Sequence, residues 1–295
     1  MASPEKIIAD IKSMRIQGAR EVAKAGASAM QAAAKRSKAR TFSAFEKDLK
    51  STAEKLVKAR STEPALRHVV ASILVSVRKE ESPDLKKVRR MAKNLCSHWM
   101  QEIDAMLASI AHHGADQIKK NDVILTHCHS HNVMAIFQLA KQQGKKFQVI
   151  VTETRPLRQG LMTARELLKI KVPVIYCVDS AFGTMMKSAT KVIVGCDAFL
   201  PDGSLVNKIG TFPMALVAKR MGKPFYAAGE IFKFTKEIAI EQREPKEVID
   251  PKRLRGAKVV NPAFDVTPAE YIEKLITEKG AVKPGMLKEI VTFKA

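Results

Sequence analysis

Five short Val/Ile-rich runs punctuate the later part of the chain: Asp122–His127, Phe147–Thr152, Pro173–Val178, Lys191–Cys196 and Pro224–Ala228. Between them lie stretches of helical periodicity, near residues 131–143, 159–171, 181–188 and 211–221. Continuous apolar runs of this length suit strands buried on both faces. Helices between them make the sheet parallel, with right-handed crossovers as the default. Ligands in such sheets bind beyond the carboxyl ends of the strands. Every run here leads into something polar or reactive: Cys128-His129-Ser130, Glu153-Thr154-Arg155, Asp179-Ser180, Asp197 and Glu230.

The first ~120 residues have a different texture. Their aromatics are Phe42, Phe45 and Trp99, and Ala, Lys, Glu and Met dominate. Ile7, Ile8, Ile11 and Met14, then Val22, Ala23, Ala25, Ala29 and Met30, recur at helical spacing. Pro64 and Pro83 read as boundaries between helices, with Ser82 and Asp84 as caps near the second. The expected organisation is α/β, with a helical bundle over 1–120 and a parallel sheet with helices on both faces over 121–295.

Composition narrows the function classes. No run approaches the ~18 apolar residues of a membrane span. The N-terminus is charged by Glu5, so no signal-peptide core is expected and the cytoplasm is the expected compartment. Cys96, Cys128, Cys177 and Cys196 form no C-x-x-C pair, which argues against a zinc ribbon or a disulfide framework. With 51 Lys+Arg against 30 Asp+Glu the chain carries +21, divided as +11 over residues 1–120 and +10 over 121–295. That excess suggests anionic partners such as nucleic acid or phosphorylated metabolites, but no basic arm. Neither G-x-G-x-x-G after a strand nor G-x-x-x-x-G-K-[ST] occurs, which disfavours a dinucleotide oxidoreductase or a P-loop NTPase.

Within the segment THCHSHN, Cys128 lies among His127, His129 and His131. The spacing is too tight for one segment to offer all four to a metal. A thiol at a helix N-terminus beside imidazoles is expected to have a lowered pKa and to serve as an acid or base; a small buried structural residue is the alternative. Asp197 is either a turn cap or a second acid/base. Asn207-Lys208 is expected to open a helix, and a Lys with a helix N-terminus makes an anion site. Pro156 biases Arg155 toward an extended backbone, suited to binding phosphate or carboxylate; a salt bridge to Glu153 or Asp179 is the alternative. Lys233 reads equally as an anion ligand or a solvated lysine.

THCHS at 126–130, TETRP-x-x-QG at 152–160, VDS at 178–180, VGCDAFLPDGSLVNKIGT at 194–211 and NPAFDVTPAEYI at 261–272 together carry a resemblance. They are similar to the family of translation initiation factor 2B regulatory subunits, which includes isomerases of methylthioribose 1-phosphate and ribose 1,5-bisphosphate. The pattern most resembles the archaeal branch, with its ribose-1,5-bisphosphate isomerases. The resemblance implies a helical N-terminal domain, a Rossmann-like C-terminal domain and homo-oligomers built from dimers, up to hexamers. It implies a catalytic Cys and Asp, matched by Cys128 and Asp197, and no cofactor or metal. Substrate-binding positions carried over with it are Asn207, Lys208, Lys233 and Arg60, and the phosphate segment Gln17-Gly18-Ala19-Arg20; Ser130 and Arg155 are further candidate substrate-binding residues. Here Gln17 and Arg20 replace the family's Arg and Gly, and Ser61 replaces a loop proline.

The function this implies is aldose–ketose isomerisation of ribose 1,5-bisphosphate. Cys128 and Asp197 would exchange protons with the sugar, and a dry pocket would raise the pKa of Asp197. Lys208 and Lys233 would hold one phosphate, Arg20 and Arg60 the other. The alternative is a regulatory subunit that binds a nucleotide or sugar phosphate and a translational G-protein partner, with contact to RNA. Retention of both Cys128 and Asp197 favours the enzyme.

Overall fold

The computed structural model describes residues 2–80 and 84–291. The chain divides into two compact units, one up to Ala105 and one from Met106 onward.

The first unit contains α1 (Pro4–Lys12), α2 (Ala19–Arg36), α3 (Phe42–Ala59), α4 (Pro64–Arg78) and most of α5 (Leu85–Ala115). Local chemistry sets their starts. Ser3 Oγ accepts the Lys6 N–H at 3.2 Å and Thr41 Oγ1 accepts that of Ala44 at 3.3 Å, while Pro4 and Pro64 occupy the first helical position. Pro64 therefore marks the expected boundary. Ser82 and Pro83 lie outside the described residues; Asp84 accepts the Lys86 N–H at 2.8 Å just ahead of α5. The central helix α2 packs against α1, α3 and α4 through Val22, Ala23, Ala27, Met30 and Ala34, all buried. Gly26 lets α4 come close: a Cβ there would stand 2.3 Å from Leu66 Cδ1.

The second unit runs β1 (Asp122–Thr126), α6 (His131–Gln142), β2 (Phe147–Thr152), α7 (Gly160–Lys169), β3 (Val174–Cys177), α8 (Phe182–Met185), β4 (Lys191–Val194), β5 (Ala198–Phe199), β6 (Leu205–Lys208), α9 (Thr211–Arg220), β7 (Phe225–Ala228), β8 (Phe264–Thr267), β9 (Lys274–Thr277), β10 (Gly280–Val282) and α10 (Leu287–Ile290). All five apolar runs form strands of one seven-stranded sheet in the order β10-β9-β7-β4-β1-β2-β3. Its pairings are parallel except that between β9 and β10. Its two faces bury separate apolar clusters, one around Phe137, Val149 and Leu167 and one around Val192, Phe225 and Leu275.

From β1 the chain builds outward to β2 and β3, then returns to place β4 on the other side of β1. The carboxyl ends of β1 and β4 therefore flank the crevice where an open parallel sheet binds its ligands.

A second sheet, antiparallel in the order β5-β6-β8, stands at that end. It corrects one expectation: Asn207 and Lys208 close strand β6, paired with Asp265 and Phe264, while the helix expected near 211–221 forms over Thr211–Arg220 after Gly210 (φ 100°). The helix expected over 181–188 shrinks to α8 and a preceding 3-10 turn. The outer strand β3 exposes Ile175, Tyr176 and the following Val178, the last 54% accessible. Among the described residues, no helix is long and apolar enough to cross a membrane.

Candidate active site

The sharp turns after β1 and β2 are built together. Gly160 makes the second possible, because a Cβ on it would lie 1.8 Å from the Thr152 carbonyl oxygen. Cys128 (φ 67°) and Thr154 (φ 62°) both adopt left-handed backbone, which costs a non-glycine residue free energy. The Cys128 N–H donates to Thr154 Oγ1 at 2.8 Å, and Thr163 Oγ1 donates to the Cys128 carbonyl at 2.8 Å. Asp179, just past β3, accepts the Thr154 and Arg155 N–H groups, each at 2.7 Å.

Two of the imidazoles around Cys128, those of His127 and His129, are committed to this scaffold. Nε2 of His127 faces the Ile209 carbonyl at 2.8 Å. A carbonyl only accepts, so the proton sits on Nε2 and Nδ1 accepts from Thr152 Oγ1 at 2.6 Å. Burial lowers the pKa of His127, so the ring is neutral at pH 7. Thr163 spends its hydroxyl proton on Cys128, so His129 donates to it through Nδ1 at 3.0 Å. Among the described residues no three His, Cys, Asp or Glu side chains gather as a metal set.

The thiol itself departs from expectation. Burial pushes Cys128 up to about 11; the nearby Lys208 ammonium opposes this, while Asp197 and Asp179 reinforce it. The thiol is therefore protonated at neutral pH, because desolvation of a thiolate outweighs the cation beside it. The same couplings put Asp197 and Lys208, from the ends of β4 and β6, within electrostatic range of Cys128. Asp197 is half-buried, and its N–H joins the second sheet by donating to Val206 O at 2.9 Å. The Lys208 ammonium sits 4.9 Å over the Phe264 ring.

Other expected site residues have structural work. Ser130 caps α6, its Oγ accepting the Val133 N–H at 3.5 Å. Gly195 packs flush against it, since a Cβ there would approach Ser130 Oγ to 2.8 Å. Asn207 is buried and donates to Thr211 Oγ1 at 3.0 Å. Arg155 is exposed, and its guanidinium donates to the carbonyls of Pro156 (3.1 Å) and Val248 (3.0 Å), so its charge meets neither Glu153 nor Asp179. Glu153 instead faces Arg158 at 3.6 Å. Arg155, His127, Asp179 and Gly210, with Phe182 and Met214, wall a cleft of about 250 Å³.

Lys233 is not a solvated lysine. It is buried, 2.9 Å from Glu230 Oε2, and donates to the Cys196 carbonyl at 2.8 Å. Burial would lower its pKa, but Glu230 prevails and raises it. Burial likewise works against ionisation of Glu230, yet Lys233 and the Asn132 amide, donating at 2.9 Å, leave its pKa lowered. The anion site expected at the start of α9 is also filled from within. Asp265 Oδ2 accepts the N–H groups of Gly210 at 2.7 Å and Phe212 at 3.2 Å, and burial raises its pKa to about 6.

In the helical unit, Gln17 and Gly18 are exposed, Gly18 (φ 85°) leads into α2 without a side-chain cap, and Ala19 is buried. Arg20 pairs with Glu21 and Asp104. Arg60 lies against Met14 Sδ and 3.7 Å from Glu63.

Sequence reasoning passed over the roles of Thr154, Thr163, Asn132, Gln159 and Asp265. Gln159 has a buried Oε1 with no hydrogen-bond partner. Glu230, by contrast, carried a signal: it lies three residues before Lys233, a spacing at which opposite charges meet on one turn.

The chain is 38% identical over 291 residues to the ribose 1,5-bisphosphate isomerase of Thermococcus kodakarensis, covering 95% of this chain and 90% of that protein. It is 37% identical over 281 residues to the protein of that name from Methanocaldococcus jannaschii, covering 93% and 89%. The crystal structure of the Pyrococcus horikoshii translation initiation factor eIF-2B superposes with a TM-score of 0.83 at 30% identity, over 95% of this chain and 97% of that one. The model of the initiation factor 2 subunit family matches residues 15–284, and the chain belongs to that family.

Proposed function

We propose that this chain is an aldose–ketose isomerase that converts ribose 1,5-bisphosphate to ribulose 1,5-bisphosphate. The observation that carries the reading is a protonated thiol, Cys128, at the crevice between β1 and β4, with the Asp197 carboxylate and the Lys208 ammonium within electrostatic range. Identity of 38% and 37% to ribose 1,5-bisphosphate isomerases over most of the chain supports the choice of substrate.

The chemistry balances without an outside oxidant. The C1–ring-oxygen bond breaks as the Cys128 thiol gives its proton to that oxygen. The C2 hydrogen moves with its electron pair to C1, and Asp197 takes the proton of the C2 hydroxyl. Proton return from Asp197 to the thiolate restores the site. Lys208 answers a phosphate charge in this unit, and Arg155, whose guanidinium meets only carbonyls, offers a second cation. Homo-oligomerisation belongs to the same reading.

The test is an isomerase assay on purified protein with and without AMP, beside Cys128→Ser and Asp197→Asn. Turnover that falls roughly 10²–10⁴-fold in each folded variant is the expected result. Full activity in Cys128→Ser would sink the mechanism. No turnover from folded wild-type protein would favour a regulatory subunit that binds a sugar phosphate or nucleotide, contacts a translational G-protein or RNA, and leaves it unchanged.

A further inference from the structure

We propose that Thr154, Thr163 and Asp179 form a clamp that positions Cys128, resting on the reading of Cys128 as the acid. The geometry begins with two costly backbones. A left-handed conformation is uncommon for any residue with a side chain and a genuine outlier for a β-branched one, yet Thr154 adopts it at φ 62° beside Cys128 at φ 67°. Such conformations persist only where surrounding bonds over-determine them.

Those bonds are present, and they converge on one residue. Both polar groups of the Cys128 backbone are held by threonine hydroxyls from other segments: its N–H by Thr154, its carbonyl by Thr163, each at 2.8 Å. Thr154 is held in turn, because Asp179 Oδ1 takes its N–H while Oδ2 takes that of Arg155. The chain of bonds thus runs from the end of β3, through the turn after β2, to the turn after β1. Thr154 and Thr163 are buried, so each hydroxyl is a desolvated group with a fixed partner.

The consequence for the reaction is positional. A left-handed residue at a strand end redirects its side chain relative to the strand's alternation. Here that fixes a protonated thiol where Lys208, Asp197 and Asp179 all act on it. None of the three clamp residues needs to touch the sugar, so they are positioning residues. Asp179, though it walls the cleft, spends both carboxylate oxygens on backbone N–H groups.

The experiment compares Thr154→Val, Thr154→Ser and Asp179→Asn with wild type and Cys128→Ser. Steady-state turnover of ribose 1,5-bisphosphate is read beside the rate of iodoacetamide alkylation at Cys128 as a function of pH, located by peptide mass spectrometry. Thr154→Val keeps the shape and removes the acceptor. It is expected to lower kcat roughly 10²-fold, the cost of a misplacement of about 1 Å, with little change in KM. It also speeds alkylation, because a released thiol leaves its desolvated position. Thr154→Ser restores the oxygen and both readouts; a merely structural threonine would show neither the split nor the rescue.

Asp179→Asn turns one acceptor into a donor facing an N–H, and moves both readouts in the same direction. It carries the test alone if Thr154→Val does not fold. Alkylation and kcat within twofold of wild type in the folded variants would overturn the clamp, as would Thr154→Ser behaving like Thr154→Val. If Cys128→Ser turns over at the wild-type rate, the catalytic reading fails. The alkylation profile then still decides the clamp, because it does not depend on turnover.

Discussion

The two units bury different things. Among the described residues, the buried polar or charged side chain in the helical unit is Glu63, whereas the sheet unit buries His127, Asn132, Thr152, Thr154, Asn207, Glu230 and Lys233 among others. The helical unit is closed by alanine-rich faces that need only contact area. In the sheet unit each buried polar group costs about 1–3 kcal/mol unless it is bonded; those named here cluster at the carboxyl ends of the strands, while Asp122 and Lys191, at the amino ends of β1 and β4, pair with each other at 2.6 Å. Polar burial is concentrated where the proposed chemistry requires side chains to be held in one place.

The contrast can be broken first at the ion pairs. Glu230→Ala leaves the buried Lys233 ammonium without its partner and is expected to cost roughly 3–5 kcal/mol. Arg78→Ala, which breaks the exposed contact with Glu46 in the helical unit, should cost about 1 kcal/mol or less. Urea denaturation measures both, and equal losses would refute the difference between the units. Stabilisation from the lowered pKa of Glu230 is present above the ordinary glutamate range and lost as the pH falls through the folded value.

Glycines sharpen the comparison at the next scale. A Cβ at Gly160 meets the backbone of Thr152, which cannot step aside, whereas one at Gly26 meets the end of the Leu66 side chain. Gly160→Ala should cost about 3 kcal/mol, at the upper end of ordinary overpacking. In Gly26→Ala, about 1 kcal/mol of helix propensity offsets part of the crowding. Thermal melts that rank Gly26→Ala as the more damaging would reverse the argument.

Two pH effects are smaller and belong to the sheet unit alone. With the Cys128 thiol pushed up to about 11, turnover that needs the thiol proton should show no alkaline loss until the pH nears that value. A descending limb centred near 8 would mean that some other group donates. Asp265 has its pKa raised from 3.8 to about 6. A raised folded value contributes stability below the unfolded pKa and loses it as the pH rises through the folded one. Stability should therefore decline from pH 4 to pH 6 at a slope that Asp265→Asn removes, as chemical denaturation across that range would reveal.

Much of this was legible in the sequence because β-branched runs on a doubly covered sheet have no other reading. The five strands, the helices between them and the placement of Cys128 and Asp197 past β1 and β4 come from pattern alone. The second sheet was hidden because β5 has two residues and β6 finds β8 across more than fifty intervening positions, so neither leaves a periodic trace. The thiol was misjudged because its neighbours can be named from sequence while its loss of water cannot. The partner of Lys233 was hidden for the same reason. A lysine past a strand end can be read as solvated until its burial, and hence its need for Glu230, is known.

Asp265 has a last consequence. By seating its own carboxylate on the amides that open α9, the protein has already answered the anion-binding capacity of that helix end. In the proposed reaction, a sugar phosphate arriving beside Lys208 meets a side-chain ammonium stacked on Phe264 in place of a cradle of N–H groups. Capture becomes a matter of long-range attraction that dissolved salt weakens, and choice among phosphorylated sugars passes to the groups that meet the carbon skeleton.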